Sequence, residues 1–207
     1  MINLTSTSTV KTASIKALAY GQAGSGKTSL IPTLPTPVIL SAEGGLLSIS
    51  GHDIPFVKIG GMDDLREAYK WLTDSDESKQ FESVAIDSIS EVAEVCLGAE
   101  KAIAKDPRQA YGEMQTTMAE VIRTFRDLDK HVLMTAKLEK SQDEMGRILY
   151  APSMPGNKTG QALPYYFDIV AALRVEKDDE GLTQRASGKL DVWEAPDLAA
   201  IIAKIGS

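Results

Sequence analysis

Gly21, Gly26, Lys27 and Thr28 stand at the spacing G-x-x-x-x-G-K-[ST], inside the stretch GQAGSGKTS. Each residue type there suits a polyphosphate. Glycines let a backbone wrap closely enough for its N–H groups to face phosphate oxygens. A helix opening after the loop would add the positive end of its dipole. The Lys27 ammonium could reach the β- and γ-phosphates, and the Thr28 hydroxyl could ligate Mg²⁺. The pattern therefore predicts a nucleotide-binding loop of Gly21, Gln22, Ala23, Gly24, Ser25, Gly26, Lys27, Thr28 and Ser29, with ATP and Mg²⁺ as ligands.

A magnesium site of this kind needs an acid at the end of a neighbouring strand. The stretch SVAIDS supplies Asp87, which would share the ion with Thr28; it could instead cap the helix that begins near Ile89. Ser88 follows it, where many AAA+ ATPases and helicases carry a glutamate, so a base that activates water must lie elsewhere. Glu43 is the candidate. It sits in SAEGGLL, just past the apolar run VILSA, and open α/β sheets bind ligands beyond the carboxyl ends of their strands. A carboxylate there could orient and deprotonate water; the plainer alternative is a surface turn acid.

These groups need a frame. Apolar runs at 15–20, 37–42, 55–60, 83–87 and 131–136 read as buried strands. A short helix after the loop should stop at Pro32 or Pro35. Helical spacing marks 62–74, 89–105 and 112–130, where the Met and Phe stripes read as core. Residues 137–164, rich in Pro and Gly, read as a hairpin or a long mobile loop. Strands follow at 168–176 and 182–194, and a closing helix at 195–206. Strands alternating with helices give an α/β fold: a mostly parallel central sheet flanked by helices, with a C-terminal antiparallel hairpin.

The chain has 207 residues and is 43% hydrophobic, which suits one globular domain over 15–207 behind a Ser/Thr-rich lead-in at 1–14. The one cysteine, Cys96, excludes an internal disulfide framework and points to a reducing, cytoplasmic setting. No apolar run approaches the roughly 20 residues of a membrane span. A net charge of −7 argues against a broadly basic nucleic-acid surface, though not against a local or shared basic channel.

The series GQAGSGKT, ILSAEGG, VAIDS and VLMTAK resembles the RecA-like P-loop ATPases, and by its compact size the phage-encoded, core-only members of that group: nucleotide-binding ATPases and single-strand annealing recombinases. The resemblance implies that Glu43 is the catalytic glutamate, and that Thr135 or Lys137 senses the γ-phosphate. It implies a DNA-binding segment from about Glu139 to Gln161, with Lys140, Arg147, Tyr150 and Lys158 as contacts. From Lys137 to Lys158 four cations face three acids, so the segment is slightly basic. It could equally be a solvated loop or an oligomer contact. The resemblance further implies that Arg185 and Lys189 reach the ATP of a neighbouring subunit from a late hairpin.

The resulting expectation is an ATPase that forms a homo-oligomeric ring or filament. It would act on single-stranded DNA in recombination or annealing, with a single-strand-binding protein as a further partner and no membrane. Its place would be the cytoplasm, the host's if the chain is phage-encoded. Two rivals share the loop. A small-molecule kinase would usually show an arginine-rich lid, whereas 137–164 holds only Arg147. A DNA-independent nucleotide switch that organises a protein partner suits the negative charge.

Overall fold

The strands that lead into the glycine loop, Glu43 and Asp87 all end at one edge of a parallel array. A computed structural model describes residues 14–142, 145–177 and 183–187, and positions 198, 200 and 203. Strands β1 (Lys16–Gly21), β2 (Pro37–Ser41), β3 (Phe56–Lys58), β4 (Ser83–Asp87), β5 (His131–Gln142), β7 (Ile169–Lys177) and β8 (Thr183–Ser187) lie in the order β3-β2-β4-β5-β1-β7-β8. Neighbours from β3 to β7 are parallel, and β8 returns antiparallel to β7. Strand β6 (Ile148–Pro152) pairs antiparallel with the outer half of β5. Helices α1 (Met62–Asp74), α2 (Ile89–Ile103), α3 (Pro107–Arg126) and α4 (Asn157–Ala162) complete the α/β architecture. The expected lead-in lies outside the described residues, except for Ser14. Leu198, Ala200 and Ala203, within the expected closing helix, have helical backbone.

Alternation along the strands divides the core into two faces of different bulk. Leu18, Val38, Leu40, Val84, Ile86, Val132 and Met134 are packed in one cluster with the apolar stripes of α1, α2 and α3. Among these stripes Met114, Met118, Ile122 and Phe125 are buried, as their spacing predicts. The opposite face carries smaller side chains, Ala17, Ala19 and Ala85, beside Ile39 and Leu133. Leu30, Ile31 and Leu34 pack there, just after the glycine loop. Strands buried on both faces explain why the sequence shows continuous apolar runs.

Two local expectations differ from the structure. The 3₁₀ helix Thr28–Thr33 replaces the expected short helix, because Pro32 lies inside it. Helix α3 begins at Pro107 rather than Gly112. Asp106 caps it by accepting the Arg108 N–H at 2.9 Å, with Pro107 in the first turn. Of the two forms expected over 137–164 the structure has the hairpin, made by the rest of β5 and β6, with α4 and the 3₁₀ helix Leu163–Tyr166 after it.

At the far edge of the sheet, His131 Nδ1 accepts the Ile15 N–H at 3.0 Å, so that nitrogen carries no proton. Burial holds the imidazole below its ordinary value of 6.5; Lys16 adds to the effect and Glu82 opposes it. A group depressed in the folded state contributes stability above its unfolded value and loses it as pH falls through the folded one. Wild-type protein should therefore lose more melting temperature than His131→Asn between pH 7 and pH 5. Asparagine keeps an acceptor and does not titrate. Equal losses in the two proteins would remove His131 from the acid response.

Candidate nucleotide-binding site

The loop closes tightly at the end of β1. A Cβ on Gly21 would lie 2.3 Å from Ser25 Oγ and 2.6 Å from the Leu173 carbonyl oxygen, so only glycine fits between the loop and β7. Gly24 and Gly26 have φ of 75° and 91°, the left-handed region that turns successive N–H groups to one side. Ser25 is buried and its Oγ has no protein partner. An orphaned buried hydroxyl inside a glycine cradle fits a loop made to hold an oxygen-rich ligand. Lys27 Nζ donates to the Gly21 and Gln22 carbonyls at 3.0 and 2.9 Å. Burial lowers its pKa, the Glu43 and Asp87 carboxylates oppose that, and Lys137 adds to it. Because only a 3₁₀ turn follows the loop, less helix dipole faces a phosphate than the motif suggests. The loop amides and Lys27 must supply most of the attraction.

Asp87, at the end of β4, is 3% exposed. Its Oδ2 accepts the Thr28 hydroxyl at 3.0 Å, and its Oδ1 accepts the hydroxyl of fully buried Thr135 on β5. Its main-chain carbonyl accepts the N–H of Ala42 at 2.8 Å and of Glu43 at 3.2 Å. One residue thus ties the loop, β5 and the turn beyond β2 together. The cap of α2 is Ser88, whose hydroxyl accepts the Glu91 N–H at 3.3 Å, so Asp87 does not serve as the helix cap. A carboxylate with a neighbouring threonine hydroxyl suits Mg²⁺, which is usually held by one or two carboxylates and by substrate phosphates. Among the described residues no cluster of three acidic, histidine or cysteine side chains could cage a metal. An ion held by Thr28 and Asp87 would complete its shell with water and with phosphate oxygens of a nucleotide.

Glu43 follows β2 in a turn where Gly44 has φ 74° and its N–H is taken by Ser41 Oγ at 3.3 Å. Its carboxylate is half exposed and lies 3.9 Å from Lys137 Nζ. The same ammonium is 2.7 Å from Glu91 on α2, a closer partner. That hydrogen bond, with the fields of Glu91, Glu43 and Glu94, raises the Lys137 pKa against the effect of burial. The sequence reading overlooked Glu91, although Ser88-x-x-Glu91 is a capping-box pattern that sets Ser88 at the N-cap and Glu91 in the first turn of α2.

A family model described as an AAA domain matches residues 13–195. The chain belongs to the AAA domain family. No curated protein matches it. The AAA domain match takes in the glycine loop, Glu43, Asp87, Thr135 and β8, and it supports a nucleotide-binding ATPase. Mg²⁺ is the usual companion of such a loop, and the Thr28–Asp87 pair fits it. Among the described residues of this AAA domain no helix is long and apolar enough to cross a membrane.

The remaining candidates lie farther out. Lys140 and Tyr150 are directly opposite on the β5–β6 hairpin, and the Arg174 guanidinium lies over the Tyr150 ring at 4.5 Å. Arg147 is exposed, with Nη2 2.9 Å from Met145 Sδ. Arg185 pairs with Val175 in the β7–β8 ladder at the sheet edge. The side chains of Lys158 and Arg185, and all of Lys189, lie outside the described residues.

Replacing Asp87 separates its two roles. Asp87→Ala leaves two hydroxyls without their acceptor and should lower stability by about 1–3 kcal/mol. Asp87→Asn, which keeps an acceptor, should unfold closer to wild type. Both should lose the Mg²⁺-dependent part of nucleotide affinity, measured with a fluorescent nucleotide with and without Mg²⁺. Unchanged magnesium dependence in Asp87→Asn would place the ion elsewhere.

Proposed function

We propose that this chain is a RecA-like, ATP-hydrolysing protein that assembles with copies of itself and acts on single-stranded DNA in phage recombination or annealing, in the host cytoplasm. The observation that carries the hydrolytic reading is the position of Glu43. Its N–H is held by the Asp87 carbonyl, and its half-exposed carboxylate lies 3.9 Å from Lys137 Nζ at the sheet edge where Thr28 and Asp87 meet. Ser88 leaves no second acid directly after Asp87.

In this reading the loop amides and Lys27 bind the polyphosphate, and Thr28 and Asp87 hold Mg²⁺. The ion, when bound, supplies charge neutralisation at the phosphates. Thr135 fixes the Asp87 carboxylate from behind. Glu43 orients a water molecule and accepts its proton as the water oxygen attacks the terminal phosphorus; ADP and inorganic phosphate are the products. Lys137 senses the terminal phosphate, with Thr135 acting through Asp87. Arg185 and Lys189 bring cationic charge from a neighbouring copy, which makes turnover depend on assembly.

The hairpin supports the DNA half of the proposal. Lys140, Tyr150 and Arg174 combine two cations with an aromatic ring, a combination that suits phosphates and stacked bases. It springs from the strand that carries Thr135 and Lys137. A different observation favours the partner-organising switch: Met145, Ile148 and Leu149 are exposed apolar groups on that hairpin, in a chain of net charge −7.

ATPase rates with and without oligo(dT) at low salt separate the two. The DNA reading expects stimulation; neither binding nor stimulation would leave the switch. Glu43→Gln should lower turnover by about 10²–10⁴-fold with nucleotide binding retained, the range of a lost general base. Turnover at the wild-type rate would exclude Glu43 from the chemistry. Mixing Arg185→Ala with Lys27→Ala should recover some ATPase, because the mixture contains interfaces with intact Lys27 and intact Arg185. No recovery at any ratio would argue against a shared site.

A further inference from the structure

The head group of Lys137 stands between carboxylates on two different elements, while the backbone beneath it is pinned. Its N–H is accepted by Ser90 Oγ at 2.9 Å, and its carbonyl accepts the Ser153 N–H at 2.7 Å. Ser90, buried on α2, also donates to the Ser153 carbonyl at 2.7 Å. Parallel pairing sets Lys137 opposite Gly21, the first residue of the glycine loop. A fixed pivot leaves the ammonium as the part that can move. It sits 2.7 Å from Glu91 and 3.9 Å from Glu43. Glu91 is held too, since its N–H is bound by the Ser88 cap.

We propose that Glu91 is a specificity-determining residue, which competes with the terminal phosphate of a nucleoside triphosphate for the Lys137 ammonium and so sets the discrimination between triphosphate and diphosphate. This rests on the nucleotide-binding reading above. The Lys137 charge acts on Lys27, and Lys137 stands opposite Gly21 of the loop, so a ligand held at Lys27 lies in the field of Lys137. A diphosphate gains less from drawing that ammonium off Glu91, because it lacks the terminal phosphate's added charge. A triphosphate gains more, and must displace Glu91 to do so. A ligand shifts such an equilibrium only by its differential affinity for the two positions. Both partners are partly exposed, which keeps the exchange shallow enough for a bound anion to reverse it.

Calorimetric titration of the full chain with a slowly hydrolysed ATP analogue and with ADP, at one salt and magnesium concentration, tests this. Glu91→Gln should tighten the analogue about two- to five-fold, the worth of one partly exposed ion pair, and leave ADP nearly unchanged. Glu91→Asp, which keeps the charge, should return the ratio towards wild type. In a Lys137→Met background Glu91→Gln should no longer alter the ratio. An equal effect on both nucleotides, or the same ratio change without Lys137, would reduce Glu91 to a bulk negative charge and overturn the proposal. Lys137→Met by itself should lower the preference for the triphosphate; an unchanged preference overturns the proposal even if Glu91→Gln does not fold. Wild-type protein that binds neither nucleotide would refute the nucleotide reading itself.

Discussion

The Asp87 carboxylate is the constraint on which the site depends. It is buried, so an isolated negative charge there would be costly, and its neighbours must satisfy it. Two hydroxyls do so, Thr28 from the glycine loop and Thr135 from β5. Its carbonyl then takes two N–H groups from the turn that carries Glu43. The carboxylate thus gathers the loop and β5, while the main-chain carbonyl of the same residue gathers the turn beyond β2, so one residue brings three separate chain segments to one point.

The sheet order makes this possible. Strand β5 lies between β1 and β4, so the loop strand and the Asp87 strand are not neighbours. Thr135 occupies the gap, level with Ala19 on β1. The small residues Ala17, Ala19 and Ala85 let the segment after the loop pack closely on one face. Large residues on the other face hold α1, α2 and α3, and α2 in turn presents Ser90 and Glu91 to Lys137. Bulk on one face anchors the frame; its lack on the other admits the loop.

Much of this was legible in the sequence where local chemistry and global packing agree. The 62–74 helix and the 83–87 strand have the bounds that their periodicity suggests. The glycine loop, Asp87 and Glu43 lie together as strand ends in an open α/β sheet should. The rest has separate physical causes. Asp106 and Pro107 formed a helix start that outranked the apolar spacing beginning at Gly112. Over 137–164, where Pro and Gly suited either a hairpin or a long loop, cross-strand pairing selects the hairpin. Glu91 and Ser90 looked like helix residues and nothing more. Their partner Lys137 is 46 and 47 positions away, and no local pattern encodes that meeting.

Both lysines at the site are already engaged by the protein itself. Lys27 is folded onto two loop carbonyls, and Lys137 is paired with Glu91. An incoming anion must therefore exchange with internal acceptors instead of falling on bare charge. Exchange lowers affinity for every anion, but unequally. Carbonyls are neutral and yield readily to any phosphate in the cradle. A carboxylate yields only to a ligand that brings enough charge to its position. On the competition proposed for Glu91, the loop is a general phosphate grip and the Lys137 pair a test of what lies beyond it. Selection by such local competition, and not by the overall field, would suit a chain with a net charge of −7.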